Sequence, residues 1–289
     1  MATRLLQMAI AYDFDGTLAP GNMQEHSFIP GLGMKKEQFW NEAKAMAKRE
    51  DMDEILAYMF VMLERSRDRW PITRKSFKRH GKTIKFFPGV ASWFRRHNAY
   101  ARQKGINLKH YIISSGLREM ISGTPIAKEF EHVFASGFAY DRNEVAHWPA
   151  LAVNYTNKTQ YLFRINKGIN NSFDNTRINA FVPNNLRPVP FSNMVYIGDG
   201  ETDVPCMKML KYQGGYSIAV YGSSRSKSIG KPSAKQTALK LIEEKRADYA
   251  VAADYKQDSE LDRLIKRVID AIAAEGRLAK ASPVYDKAN

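Results

Sequence analysis

Five short apolar runs punctuate the chain: Met8–Phe14 (MAIAYDF), Lys109–Ser115 (KHYIISS), Asn193–Asp199 (NMVYIGD), Tyr216–Gly222 (YSIAVYG) and a weaker Ala247–Ala253 (ADYAVAA). Their apolar residues run on consecutively instead of alternating with polar ones, the pattern of strands buried on both faces. Segments able to form helices separate most of them, which predicts an α/β fold with a parallel sheet covered by helices. Turn-forming groups follow the first four runs: DGT, SGL, GDGET and GSS. Ligands of open parallel sheets bind beyond the carboxyl ends of the strands, where these groups would lie.

The interval from about Ala19 to Phe87 contains no convincing strand. Phe39, Trp40, Ala43, Met46 and Ala47 recur at helical spacing, as do Ile55, Leu56, Met59, Phe60 and Leu63, with breaks at Pro71 and Pro88. Such helices could belong to an ordinary core. Their insertion directly after the first strand, between two expected site loops, predicts instead a lid over the sheet's C-terminal edge. The expected organisation is therefore a core of residues 1–18 and 88–289 and a helical cap of residues 19–87. The Ser-, Lys- and Gly-rich segment Gly222–Ser233 is expected to be a loop, and no internal repeat occurs.

A length of 289 residues fits one large domain, or a core with an accessory domain, at roughly 100–200 residues each. With 44% hydrophobic and 26% charged residues, disordered and fibrous classes are excluded. The formal charge is +14, but Arg65–Lys109 alone holds 14 basic residues and one acidic residue, leaving 30 basic and 29 acidic residues elsewhere. A globally basic chain would point to nucleic acid or a membrane surface; a local excess leaves the partner open. The single cysteine, Cys206, permits no intramolecular disulfide and fits a reducing, cytoplasmic setting, with a packing role for the thiol. The apolar start runs straight into acidic residues without a small-residue cleavage site, and no stretch reaches the roughly 18 apolar residues that span a bilayer.

The candidate chemistry is carboxylate chemistry. Asp13-Phe14-Asp15-Gly16-Thr17 follows the first apolar run, where a buried carboxylate is costly unless paired or metal-bound. A turn at Gly16 can bring both carboxylates around one site, one as nucleophile and one managing protons; an Asx turn at a strand end is the bland alternative. A second cluster, Gly198-Asp199-Gly200-Glu201-Thr202-Asp203, follows the third run and weakens that alternative. Two such clusters supply the oxygen ligands of a hard cation such as Mg2+, and without one the carboxylates would repel each other. Ser114-Ser115-Gly116 precedes a plausible helix and could cradle an anion, although a serine there is more often an N-cap. Lys158 is the favoured charge-neutralising lysine; Lys167, beside Gly168, is the alternative and reads as a helix C-terminal residue. His80, His97, His110 and His147 share no ligand-like spacing, and Trp93, Phe94 and Tyr100 fit a helix packed on the sheet.

DFDGT, a hydrophobic run ending in Ser, a Lys and GDGETD, in that order, resemble the haloacid dehalogenase-like hydrolase superfamily over nearly the whole chain. The resemblance implies a Rossmann-like core with a helical cap inserted after the first motif. It also implies roles: Asp13 as the nucleophile that takes the phosphoryl group, and Asp15 as the acid and then base. Mg2+ would be held by Asp13, the Asp15 carbonyl and Asp199. Ser114, Ser115 and Lys158 would bind phosphoryl oxygens, with Gly200 supporting and Asp203 backing Lys158 or the metal's waters. Asp15 is similar to the phosphatases and phosphotransferases of the superfamily, because its dehalogenases lack that acid, and Phe14 stands where its transport ATPases carry Lys. The small helical insertion and GDGETD look similar to phosphoserine-phosphatase-like members.

The expected activity is hydrolysis of a small anionic phosphomonoester by a protein with no membrane association. One or two of Arg74, Lys75, Lys78 and Arg79 are expected to reach over the site toward an anionic substrate group. Two other readings stand beside it: action on nucleic-acid ends, with the basic stretch tracking the backbone, and a non-catalytic binding protein that retains the fold.

Overall fold

The computed structural model describes residues 5–222 and 233–281, so most of the Gly222–Ser233 segment expected as a loop lies outside the described residues. Seven strands form one sheet: β1 (Leu6–Tyr12), β2 (Ile106–Leu117), β3 (His132–Tyr140), β4 (Ala146–Leu151), β5 (Met194–Gly198), β6 (Tyr216–Tyr221) and β7 (Tyr249–Ala252). Their order is β4-β3-β2-β1-β5-β6-β7, and every neighbouring pair is parallel except β3 with β4. The helices between β1 and β2 are α1 (Phe28–Gly31), α2 (Lys36–Glu50), α3 (Glu54–Ser66), α4 (Arg74–Gly81) and α5 (Val90–Gln103). Then follow α6 (Arg118–Ile121), α7 (Thr159–Asn166), α8 (Asn175–Asn179), α9 (Val204–Tyr212), α10 (Ala234–Glu243) and α11 (Glu260–Ala281).

The consecutive apolar residues of β1 are explained by two cores. Met8, Ile10 and Tyr12 face a layer that includes Trp93 and Phe94 of α5 and Ile265 of α11. Ala9 and Ala11 face the opposite layer, with Leu162 of α7, Met207 of α9 and Leu241 of α10. Cys206 is buried in that second layer, as its packing role requires. The chain leaves β1 for β2 on one side and returns on the other as β5, which makes the C-terminal end of β1 a topological switch point.

Three elements carry no clear sequence signal. In β3 the apolar run is interrupted by Ser136 and Gly137, and a Cβ on Gly137 would overlap the Arg118 side chain. β4 is an edge strand with Pro149 in it and His147 and Trp148 exposed. α4 is rich in basic residues yet buries Phe77, and packs so closely on α6 that a Cβ on Gly81 would overlap the Met120 carbonyl. The inserted helices α1–α4 have no separate interior: Phe28, Phe39, Met59 and Phe77 belong to the same apolar cluster as Ile10 and Tyr12.

α5 is locked behind β1 by a buried chain of hydrogen bonds. Trp93 Nε1 donates to the Tyr12 hydroxyl at 2.9 Å, and that hydroxyl lies 2.9 Å from His110 Nδ1. His110 Nε2 lies 3.0 Å from Asn98 Oδ1, so Nε2 carries the proton and Nδ1 accepts from Tyr12. Burial, followed by the neighbouring His97, holds His110 neutral with its pKa pushed down to about 3. The unfolded chain therefore binds this proton at higher pH than the folded one, and stability falls as pH falls from 6.5 toward 3. In urea unfolding, the stability advantage of the wild type over His110→Gln should shrink steadily across that window; a constant difference would contradict a neutral His110.

Candidate active site

Parallel pairing in register delivers the site. Tyr12 of β1 lies opposite Ile112 of β2 and Ile197 of β5, so Asp13 and Asp199, just past β1 and β5, and Ser114 near the end of β2 come to nearly one level. The Asp13 backbone N–H still donates to the Ile197 carbonyl at 2.9 Å, which holds the nucleophile candidate to the ladder's last rung.

Lys158 enters from the turn before α7 and is fully buried. Its Nζ lies 2.8 Å from Asp203 Oδ1 and 3.2 Å from Asp13 Oδ2. Burial pushes the Lys158 pKa down, but the charges of Asp13 and Asp203 more than offset this, and the ammonium is retained. Asp203 is saturated: Oδ1 also accepts from the Tyr196 hydroxyl at 2.7 Å, and Oδ2 accepts from the backbone N–H groups of Asp199 at 3.1 Å and Gly200 at 3.4 Å. Asp13 Oδ1 accepts the Phe14 N–H at 2.7 Å.

Glycines make room for these carboxylates. A Cβ on Gly198 would overlap the Asp203 carboxylate, and one on Gly16, whose φ is 74°, would overlap that of Asp199. Gly200 differs: open space surrounds it and its backbone is extended, so its part is the N–H toward Asp203.

Asp15 points the other way, toward the inserted helices. Its Oδ1 accepts the Met23 N–H at 2.8 Å. Burial, then the Asp13 charge, holds its pKa well above the usual carboxylate range. Burial also raises Asp13, to about 6 against the pull of Lys158, and Asp199 rises well above its ordinary value through burial and the charges of Asp203 and Asp13. The carboxylates open on a cavity of about 320 Å³, lined by Asp13, Asp15, Ser114 and Asp199 from the sheet edge and by Asn22 and Ile55 from the insertion. The insertion closes down through Tyr58 of α3, whose hydroxyl donates to the Ser115 carbonyl at 2.7 Å.

The structure thus gathers Asp13, Asp15, Ser114, Ser115, Lys158, Asp199, Gly200 and Asp203 at one edge. Ser114 does not cap a helix; its Oγ accepts the Gly116 N–H at 3.0 Å, and α6 has Leu117 at its N-cap, with no side-chain capping bond. Lys167 lies outside the cluster, with Nζ donating to the carbonyls of Ile178 at 2.6 Å and Ala180 at 2.7 Å. The expected basic reach over the site is not found: none of Arg74, Lys75, Lys78 and Arg79 lines the cavity, and Arg74 stacks on the Tyr140 ring and pairs with Glu144. Six residues of the basic stretch pair with acids: Arg65, Arg67, Arg74, Arg96, Lys104 and Lys109. Sequence reasoning missed Tyr196, Met23, Asn22, Ile55 and Tyr58, since a strand tyrosine and helix residues bear no mark of chemistry.

The residues fit a hard divalent cation. Asp13, Asp199 and Asp203 each offer an oxygen within 4.8 Å of the others. Asp203 is already committed to four donors, which leaves Asp13 and Asp199 as side-chain ligands and makes Asp203 the support. The Asp199 carboxylate takes no side-chain donor among the described residues, so two buried carboxylates, Asp13 and Asp203, and two half-buried ones, Asp15 and Asp199, gather around a single ammonium. Oxygen-only donors with excess negative charge suit ions of the Mg2+ or Mn2+ type.

Fold and site together define an α/β protein whose parallel sheet presents paired carboxylates, a hydroxyl and a buried lysine at a switch point. The chain belongs to the haloacid dehalogenase-like hydrolase family, whose match covers residues 10–208. An uncharacterized protein of Borreliella burgdorferi is 30% identical over 228 residues, 70% of this chain and 78% of that one. Among solved structures, a haloacid dehalogenase family hydrolase of Salmonella enterica serovar Typhi aligns with a TM-score of 0.55 at 16% identity, over 91% of this chain and 72% of its own. A phosphoserine phosphatase captured as a phospho-aspartyl intermediate analogue aligns at 0.52 and 14% identity, over 91% and 99% respectively. These likenesses carry the fold. No helix among the described residues is long and apolar enough to cross a membrane.

A divalent cation that relieves carboxylate repulsion should stabilise the fold. Adding millimolar Mg2+ to chelator-treated protein is expected to raise Tm by several degrees, on the scale of ligand linkage. Asp199→Asn should lose that rise while melting no lower than the wild type without metal, because it removes a half-buried charge that takes no side-chain donor among the described residues. An equal Mg2+ response in both proteins would exclude Asp199 as a ligand.

Proposed function

We propose that the protein is a Mg2+-dependent phosphatase that hydrolyses the phosphomonoester of a small metabolite through an aspartyl-phosphate. The observation that carries this reading is the pairing of Asp13 with the buried, Asp203-anchored Lys158, while Asp15 two residues on is held above the usual carboxylate range on the opposite side.

In the first step an Asp13 oxygen bonds to phosphorus as the phosphorus–alcohol oxygen bond breaks, and Asp15 gives its proton to the departing oxygen. In the second, Asp15, now ionised, takes a proton from water as the water oxygen attacks phosphorus, releasing inorganic phosphate and restoring Asp13. Lys158 and the Ser114 hydroxyl hold phosphoryl oxygens, and Ser115 flanks them. Asp203 keeps Lys158 in place and Gly200 supports Asp203. Mg2+, held by Asp13, Asp199 and the Asp15 carbonyl, would neutralise charge on the phosphoryl oxygens. We take residues 19–87 as a cap and residues 1–18 and 88–289 as the core; Asn22, Ile55 and Tyr58 are the cap's approach to the site. A cytoplasmic location is in keeping with the single buried cysteine.

With p-nitrophenyl phosphate and Mg2+, Asp13→Asn should abolish phosphate release while far-UV circular dichroism stays unchanged. Asp15→Asn should lower turnover by about 10²–10⁴-fold, the range for removing a general acid–base group. Retention of full activity by Asp13→Asn would end the covalent mechanism.

A further inference from the structure

The cavity's inner wall is committed to the phosphoryl group, so its outer wall determines which alcohol is released. Among the described residues no Lys or Arg lines that wall, and Lys158, taken up by the phosphoryl group, is buried beside Asp13 and Asp203. The cap contributes Gly21, Asn22 and Ile55, and the rim near Asp199 adds Thr202.

Asn22 is held in one orientation. Glu25 Oε1 accepts both its side-chain N–H at 2.9 Å and the Trp40 indole N–H at 2.8 Å, while Lys36 lies 3.9 Å from Glu25 Oε2. A carboxylate can only accept, so the Asn22 amide must turn its nitrogen to Glu25, and Oδ1 is left as a fixed acceptor. Within the described residues that oxygen takes no hydrogen bond. Ile55, one turn before the Tyr58 that anchors α3 to the Ser115 carbonyl, supplies an apolar face beside it.

We infer that the substrate is the monophosphate of a small, uncharged polyol or sugar, with a hydroxyl donating to Asn22 Oδ1 and the carbon skeleton lying on Ile55. The inference rests on the phosphatase reading above. A second anionic group would meet no Lys or Arg of the described residues on that wall, and an ammonium would find Asp13 and Asp199 taken by the metal and Asp15 by its proton; an unpaired charge in a cleft is disfavoured. The cavity, about 320 Å³, is at the lower end of the roughly 300–1,000 Å³ usual for ligand sites, which suits a leaving group of a few carbons. Asn22 is the specificity residue, and Glu25 is a positioning residue acting through it.

The test is steady-state phosphate release with Mg2+ from glycerol 3-phosphate, erythritol 4-phosphate, glucose 6-phosphate, O-phosphoserine, phosphoglycolate and p-nitrophenyl phosphate. The best polyol or sugar ester should exceed O-phosphoserine and phosphoglycolate in kcat/KM by about tenfold or more, the scale of one polar group mismatched at a binding site. Asn22→Leu should raise KM for that ester about tenfold with a much smaller change in kcat. The rise should be several times larger than for p-nitrophenyl phosphate, which has no hydroxyl. Glu25→Gln, whose amide can still accept from Asn22, should recover most of what Glu25→Leu loses. Preference for a charged ester, or equal KM changes for the polyol and aryl esters, would overturn the inference and leave the phosphatase reading standing. Failure to hydrolyse any ester, p-nitrophenyl phosphate included, would overturn both.

Discussion

A buried ammonium held between two buried carboxylates organises this protein. Lys158 can lie out of water only because Asp203 and Asp13 are beside it, and Asp203 can be there only because Tyr196 and two backbone N–H groups satisfy its remaining lone pairs. The arrangement fixes much of the surrounding backbone. Gly198 must lack a side chain because the Asp203 carboxylate fills that space, and Gly16 must do so because Asp199 fills its own. The strands must end in register, since a slip of one residue would turn Asp13 to the other face of the sheet. Behind β1, the Trp93–Tyr12–His110 chain of hydrogen bonds fixes the strand that carries Asp13.

The same electrostatics explains where the positive charge of the chain is not. A run of 14 basic residues invites a picture of cations gathered over an anion-binding site. In three dimensions the run divides among the end of α3, α4, α5 and the start of β2, and several of its members pair with acids distant in sequence, such as Arg65 with Glu42 and Arg96 with Asp262. The charge that matters at the site is one lysine from a different segment. Long basic side chains remain solvated when they can; among the described residues Lys158, with its burial offset by two carboxylates, and Arg164, which donates to backbone carbonyls, are committed to the interior.

How much was legible follows from the same distinction. Strands buried on both faces announce themselves as apolar runs, and β1, β2, β5, β6 and β7 were visible for that reason. β3 and β4 were not, because Gly137 yields its side-chain space to Arg118 and the edge strand turns His147 and Trp148 to solvent. The acidic residues of DFDGT and GDGETD were legible because carboxylates at the ends of buried strands are anomalous without a chemical reason. Lys158 was legible only through its order among the motifs, and the choice over Lys167 needed geometry: Lys167 closes off carbonyls beyond its helix. Asn22, Ile55 and Tyr58 were invisible, because their importance comes from where the insertion folds back and not from their residue types.

Asp13 and Asp15 show how one short motif yields two chemistries. They are the same residue type, two positions apart, Asp13 buried and Asp15 half-buried. The strand ends between them. Asp13 is still on the ladder, its N–H bonded to the Ile197 carbonyl, and so faces Lys158 and the second acidic cluster. Asp15 lies past the end, where the turn at Gly16 aims it at the Met23 N–H and away from any ammonium contact. The first carboxylate has a cation to hold it ionised, at a pKa of about 6 despite its burial; the second has burial and the Asp13 charge driving it toward the protonated form. The different electrostatic settings of the two carboxylates, on which the proposed division between nucleophile and acid rests, thus follow from the point at which β1 stops.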